Sequence, residues 1–518
     1  MFENVAGPST KHFRSSRGFE AFVSEKLAVV LDKCKISDRN AVHLLIATAE
    51  ALGNNVNKLI INRSSIRSAR IEFRKERAKK IRQDYNLANE ETVVVHWDGK
   101  LLPALTGKGL VDRLPIVASV NGHEQLLGVP ALNTGTGSDQ ANAVYQTLVE
   151  WCLTENVQAF CLDTTASNTG RLNGACVLLE QLLEREIIYL PCCHHIYEIV
   201  LKSVFDLKLS GTSGPDVAIF KRFQLAWVTM DTKMFNYGIE NCIVMGSVND
   251  VCDDIIKFSI DRLEENHPRD DYRELLELTV IFLGGILPNG IHFKKPGAIH
   301  HARWMAKAIY SLKIYLFREQ FRLTVKEETA LRNICIFIIR LYIKSWFDAS
   351  SAIKAPFQDL TFIKNLLNYI AIDKDTSQIA IKKFCGHLWY LSSELCGFAF
   401  FDEAVSIDTK RKMLLEKEIE DFVYVKTNNL FKRFAINTDF LKLDPSTWRS
   451  NEDFQKSIVL LKKNPVINDV AERGVKLIEE YNDKITKDES QKQYLLQVVS
   501  DYRKKFPDHK KETLITSL

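Results

Sequence analysis

The chain has 518 residues, with ordinary apolar and charged contents of 46% and 26%; that length allows two to four domains and that composition excludes a wholly disordered chain. The formal net charge is only +4, so nucleic-acid binding would have to come from local basic patches rather than a global field. The cysteines are odd in number and mostly lie inside apolar runs, as at Cys152, Cys161, Cys335 and Cys396, which reads as reduced intracellular thiols and not a disulfide scaffold.

Residues 17–60 carry a helical period. Phe19, Phe22, Val23, Leu27, Val30 and Leu31 recur at helical spacing, and Ala41 to Leu52 does the same. Arg63, Arg67, Arg70, Arg74 and Arg77 then recur at alternating steps of four and three, which stacks their guanidinium groups on one helix face, with Ile66, Ala69 and Phe73 on the buried side. Two readings stay open for that face. One is a solvated charge stripe; the other is a phosphate-binding stripe, because arginine forks suit phosphate oxygens.

From residue 91 the period becomes extended. Thr92 to Trp97, Leu114 to Val120 and Gln125 to Val129 read as strands, with Asn121-Gly122 as a hairpin turn between the last two. Asp139 to Thr154 reads as an amphipathic helix, Val157 to Leu162 as a fourth strand, and Arg171 to Leu183 as a helix. Ile187 to Leu190 is a fifth strand and Ile196 to Phe205 a further helix. Three strands before the first helix, then strictly alternating elements, resemble the ribonuclease H layout, whose first and fourth strands are neighbours.

Residues 210–460 are helical in period and rich in Leu, Ile, Phe and Lys, which predicts a large all-helical insertion. A final helix, Val470 to Tyr481, precedes a charged tail, Asp483 to Leu518, expected to be exposed. The expected organisation is therefore a helical, basic region over 1–88, an α/β core with a mixed sheet over 89–209, the insertion over 210–460, and a last core helix with the tail over 461–518. No run of about 18 uncharged apolar residues predicts a membrane span. Met1-Phe2-Glu3-Asn4 reads as neither a signal nor a transit peptide.

Several acids could carry chemistry. Asp98 follows the first strand, although Asp98-Gly99 is also a hairpin dipeptide. Asp163 follows the fourth strand, where open α/β sheets place ligands, although Asp before Thr, Ser and Asn is also a helix N-cap pattern. Glu472 opens the last helix, where Asp469 and Glu472 also fit a capping box; Glu394 is the alternative third acid. Converging carboxylates of this kind are what two-metal phosphoryl transfer requires, with the ions about 4 Å apart. Cys192-Cys193-His194-His195 suggests zinc at first sight, but a closed site needs four ligands, and His300-His301 is the nearest second pair. The alternative is a half-buried Cys/His cluster beside the acids, with His96 and His195 facing it.

Taken in order, these motifs resemble the hAT superfamily of cut-and-paste DNA transposases, over about residues 90–480. The carriers are Asp98 after the first strand, Asp163-Thr164-Thr165-Ala166-Ser167-Asn168, Cys192 with His195 as Cys-x-x-His, Arg303-Trp304 within the insertion, and Glu472-Arg473 on the late helix. The resemblance implies a ribonuclease H-like core. It implies Mg²⁺ or Mn²⁺ held by Asp98, Asp163 and Glu472, with Cys192, His195 and Trp304 in supporting roles. It also implies DNA as partner, bound by Arg303 and the arginine stripe, a nuclear location, and an assembly that could include further copies of the chain. Three features depart from the family. Trp97 precedes the first acid instead of following it, no N-terminal Cys/His finger is seen, and Glu-Arg-Gly-Val stands where Glu-Arg-x-Phe-Ser is common. The chain is thus expected to be a divergent or host-adopted member, either an active transposase or a non-catalytic DNA-binding scaffold. A ribonuclease or exonuclease on the same fold would use the same acids but leaves Arg303-Trp304 unexplained.

Overall fold

The computed structural model describes residues 20–87, 92–120, 122–209, 217–265, 267, 269–297, 305–349, 351–415, 427–462, 464–507 and 511–515. They fall into two compact units. One comprises 1–160, 165–187 and 470–518; the other comprises 161–164 and 188–469. The N-terminal helices thus group with most of the sheet and with the C-terminal helices, while the helical segment groups with the last strand.

The sheet is mixed and five-stranded, in the order Ile188–Pro191, Val157–Leu162, Val93–Trp97, Ile116–Val120, His123–Gly128. The division between the units falls within Val157–Leu162. Val93–Trp97 pairs antiparallel with Ile116–Val120, with Trp97 opposite Ile116, and Ile116–Val120 pairs antiparallel with His123–Gly128. Every residue of the two central strands Val93–Trp97 and Ile116–Val120 is buried, which is why their sequences are apolar apart from His96 and Ser119 rather than alternating. The expected strand Leu114 to Val120 begins at Ile116, and a further strand, Leu110–Arg113, precedes it. Leu110–Arg113 joins Lys100–Pro103 and Ala131–Leu132 in a separate three-stranded sheet.

The outer strand His123–Gly128 meets the helix Glu489–Lys505, within the stretch expected to be an exposed tail. Leu495, Leu496 and Val499 of this helix are fully buried with Val117, Leu126, Ile478 and Tyr481. Gln493 and Gln497, one turn apart, then treat the strand edge as another strand would. Gln493 accepts the Val129 N–H at 2.7 Å and donates to the Val129 carbonyl at 2.8 Å, and Gln497 donates to the Leu127 carbonyl at 2.6 Å. An unpaired sheet edge is thereby covered. The tail expectation fails because these inward-facing residues are polar.

In the helical unit the described residues between 217 and 462 form helices and turns, apart from an isolated bridge between Ser351 and Pro465. A π turn, Ile338–Tyr342, joins Val325–Phe337 to Ile343–Asp348. Among the described residues no helix is long and apolar enough to cross a membrane.

Candidate functional site

Asp98 directly follows the buried strand Val93–Trp97 and is itself 5% exposed. The hairpin reading of Asp98-Gly99 does not apply, because the next strand, Lys100–Pro103, belongs to the other sheet and pairs with Leu110–Arg113. Asp163 follows Val157–Leu162 and is 8% exposed. It is not the N-cap of the short helix Ala166–Thr169; that position is Thr165. Both acids therefore sit at strand ends without the capping or turn role that their local sequence suggested.

The Asn168 that closes the Asp163 motif is also buried, and its Oδ1 accepts the Trp97 indole N–H at 2.9 Å. Trp97 thus bonds to the motif from the residue before Asp98, a contact that the sequence order of Trp97 and Asp98 did not suggest.

Glu472 lies in the helix Asp469–Tyr481 and is 7% exposed. Asp469 is already the first helical residue, so the pair is not the expected capping box. Gly474 lies against the sheet: a Cβ there would stand 2.7 Å from Pro115 Cβ. Only glycine allows that approach. Arg473 pairs with Glu124. Glu394, the alternative acid, is half-buried just before the 3₁₀ segment Leu395–Phe401.

Carboxylate oxygens are the ligands that Mg²⁺ and Mn²⁺ prefer, and ionised carboxylates withdrawn from water need a counter-charge. In donor type and burial Asp98, Asp163 and Glu472 suit such an ion. Among the described residues, however, no group of three or more His, Cys, Asp or Glu stands close enough to hold a metal.

The arginine stripe needs correction. Arg70, Arg74 and Arg77 are 1%, 4% and 3% exposed, so this face of the helix Arg63–Leu87 is neither a solvated stripe nor an open phosphate-binding one. Asp32 accepts from Arg70 Nε at 2.9 Å and from Arg74 Nε at 2.6 Å; Arg70 Nη1 reaches Asp38 at 2.7 Å and Arg77 reaches Asp501 at 2.7 Å. The acids that consume this charge come from other helices, which the period of the stripe could not reveal. Ile66 is buried and Ala69 and Phe73 partly so, as expected. Arg63 and Arg67 stay exposed. Arg303 and Trp304, with His300 and His301, lie outside the described residues.

The Cys192-Cys193-His194-His195 segment is not half-buried. Cys192, Cys193 and His194 are 1%, 2% and 3% exposed, and His96 is fully buried; His195 is half-buried. Within the helical unit this segment is held by residues 466–469. The Cys193 N–H donates to the Val466 carbonyl at 2.9 Å, and the Asn468 N–H meets Cys192 Sγ at 3.2 Å. Burial pushes the Cys193 thiol well up, with the Asp359 charge adding to it, and does the same to Cys161, helped by Cys192 and Asp469.

The residue that sequence reasoning passes over is His194. Its ring stacks on Trp346 at 3.7 Å and 6°. Its Nε2 lies 3.0 Å from the Trp346 carbonyl, and its Nδ1 lies 3.6 Å from Asp469 Oδ1 and 3.3 Å from Tyr272 Oη. The Tyr272 hydroxyl donates to Asp469 Oδ2 at 2.5 Å. The neighbouring turn of the same helix carries Glu198, which accepts the Met305 N–H at 2.7 Å and the Tyr342 hydroxyl. Burial pushes the Glu198 carboxyl up. The Cys-x-x-His pattern directs attention to His195 and away from its neighbour.

No family model matches the chain, and no characterised protein matches it.

Proposed function

We propose that the chain is a hAT transposase-like protein with a ribonuclease H-like core that cuts DNA phosphodiesters with Asp98, Asp163 and Glu472. The strand order supports this reading most strongly. Numbered from Val93–Trp97, the five strands run 5-4-1-2-3 across the sheet, the ribonuclease H order, and the two acids follow its adjacent central strands. An acid directly after each of two neighbouring strands is the placement that metal-dependent phosphoryl transfer uses, which supports this reading. Asp98, Asp163 and Glu472 would hold Mg²⁺ or Mn²⁺, and a bound ion of this kind supplies an activated oxygen nucleophile and neutralises charge on the leaving oxygen. The protein's own part is to hold these carboxylates in a poorly hydrated setting, where the attraction between opposite charges is strongest.

Phosphate binding falls to Arg63 and Arg67 from the stripe and to Arg303 from the insertion, in a protein of nuclear location. The test is cleavage of end-labelled duplex DNA in Mg²⁺ or Mn²⁺. Wild-type protein should nick or cut, and Asp163→Ala should not; equal product from both would rule the reading out.

A second reading, a DNA-binding scaffold that keeps the fold without the chemistry, is favoured by one observation. Among the described residues no three-ligand metal group is assembled. It predicts salt-sensitive DNA binding with no metal-dependent product, and Asp163→Ala would then bind DNA as wild type does.

A further inference from the structure

Four contacts join Cys192, Cys193, His194 and Tyr272 to residues 466–469. They run from the Cys193 N–H to Val466, from Cys192 Sγ to the Asn468 N–H, and from His194 and Tyr272 to Asp469. Asp469 is the first residue of the helix that carries Glu472 one turn later. A carboxylate in a first turn is favoured by the helix dipole. This one is also bonded to side chains brought from two other helices, Cys193–Leu209 and Asp270–Phe282.

The Trp346 carbonyl can only accept, so His194 Nε2 donates to it. The Tyr272 hydroxyl donates to Asp469 Oδ2 and stands 3.3 Å from His194 Nδ1, so it bridges the imidazole and the carboxylate. Tyr272→Phe removes the bridging hydroxyl, and Asp469→Asn replaces the charged acceptor with a neutral amide, which weakens both contacts. The indole of Trp346, fully buried and stacked on the imidazole, fixes the ring plane in which this works.

We propose that His194 and Tyr272 are positioning residues that fix Asp469 and, through it, the first turn of the helix bearing Glu472. The consequence for metal binding rests on the nuclease reading; the clamp itself does not. The experiment compares full-length wild type, Tyr272→Phe, Asp469→Asn and the double variant by two measurements. One is amide exchange of the segment Arg473 to Lys476, followed by mass spectrometry. The other is Mn²⁺ titration.

Each single variant should speed exchange of that segment roughly tenfold or more, and the double variant should do no more than either single one, because both act on the same bond. Groups that orient metal ligands typically contribute about 10–100-fold in metal affinity, so each variant should weaken Mn²⁺ binding by that order. Unchanged exchange in both Tyr272→Phe and Asp469→Asn overturns the clamp. So do additive effects in the double variant. Faster exchange with wild-type Mn²⁺ affinity overturns the link to Glu472. A wild type that binds no Mn²⁺ overturns the nuclease reading, and the exchange measurement still decides the clamp.

Discussion

Two buried ionic networks, one in each unit, contrast in the kind of charge they hold. In the first unit Asp32 lies between Arg70 and Arg74, Asp38 takes a further donor of Arg70, and Asp501 pairs with Arg77. Guanidinium does not give up its proton in proteins, so this network is permanently charged and permanently paired. In the second unit Asp469 accepts from the Tyr272 hydroxyl and lies beside the His194 imidazole, groups whose charge is not fixed. The first network can only hold helices together. The second is built from groups that can move protons, and it sits at the start of the helix that bears a proposed metal ligand.

The largest effect should come from the first network. Asp32→Ala leaves two buried guanidinium groups without their shared partner, and uncompensated buried charge of this kind costs about 3–5 kcal/mol. Denaturant unfolding should show that loss; a change below about 1 kcal/mol would mean that Asp38 and Asp501 suffice. In the second network Tyr272→Phe should cost less, about 1–3 kcal/mol, the range for stranding buried hydrogen-bonding groups. If it costs as much as Asp32→Ala, the contrast between the two networks fails.

A third variant separates buried charge from buried proton. Asp359 is 2% exposed, and burial pushes its carboxyl well above the usual carboxylate range. The folded state therefore binds a proton more tightly than the unfolded one, and stability falls as pH rises from the unfolded value toward the folded one. Relative to Asp359→Asn, the wild type should lose ground as pH rises above the usual carboxylate range, which thermal melts at matched ionic strength would show; a difference independent of pH would mean that the group is already ionised when folded. The smallest effect belongs to the exposed end of the arginine stripe. Arg63→Ala with Arg67→Ala should change stability by no more than about 0.5 kcal/mol each. The pair should lower the salt dependence of DNA binding by about one unit for each phosphate that these arginines neutralise.

The sheet is legible in the sequence where burial is complete on both faces. Val93–Trp97 and Val157–Leu162 are apolar runs whose ends can be read closely, and Asp98 and Asp163 stand out because they follow directly. The small sheet escapes such a reading because Lys100–Pro103 and Leu110–Arg113 are short and partly exposed and mix charge with apolar residues. The helix Glu489–Lys505 reads as tail because Lys492, Gln493 and Gln497 face inward. Lys492 donates to the carbonyls of Tyr481, Asn482 and Lys484, and this role depends on a chain reversal that no local pattern announces. The arginine period is real, yet its partners Asp32, Asp38 and Asp501 are remote in sequence. His194 is hidden for the same reason, since Tyr272, Trp346 and Asp469 meet it only in the folded chain.

The proposed chemistry stands or falls on whether Asp98, Asp163 and Glu472 together hold a divalent cation. A crystal structure of the full chain grown with Mn²⁺, with anomalous data at the manganese edge, addresses this directly. Anomalous density is expected within about 2.0–2.4 Å of oxygens from all three residues, the range for Mg²⁺-like and slightly larger hard cations. Ordered carboxylates at 98, 163 and 472 with no anomalous density on them would contradict it.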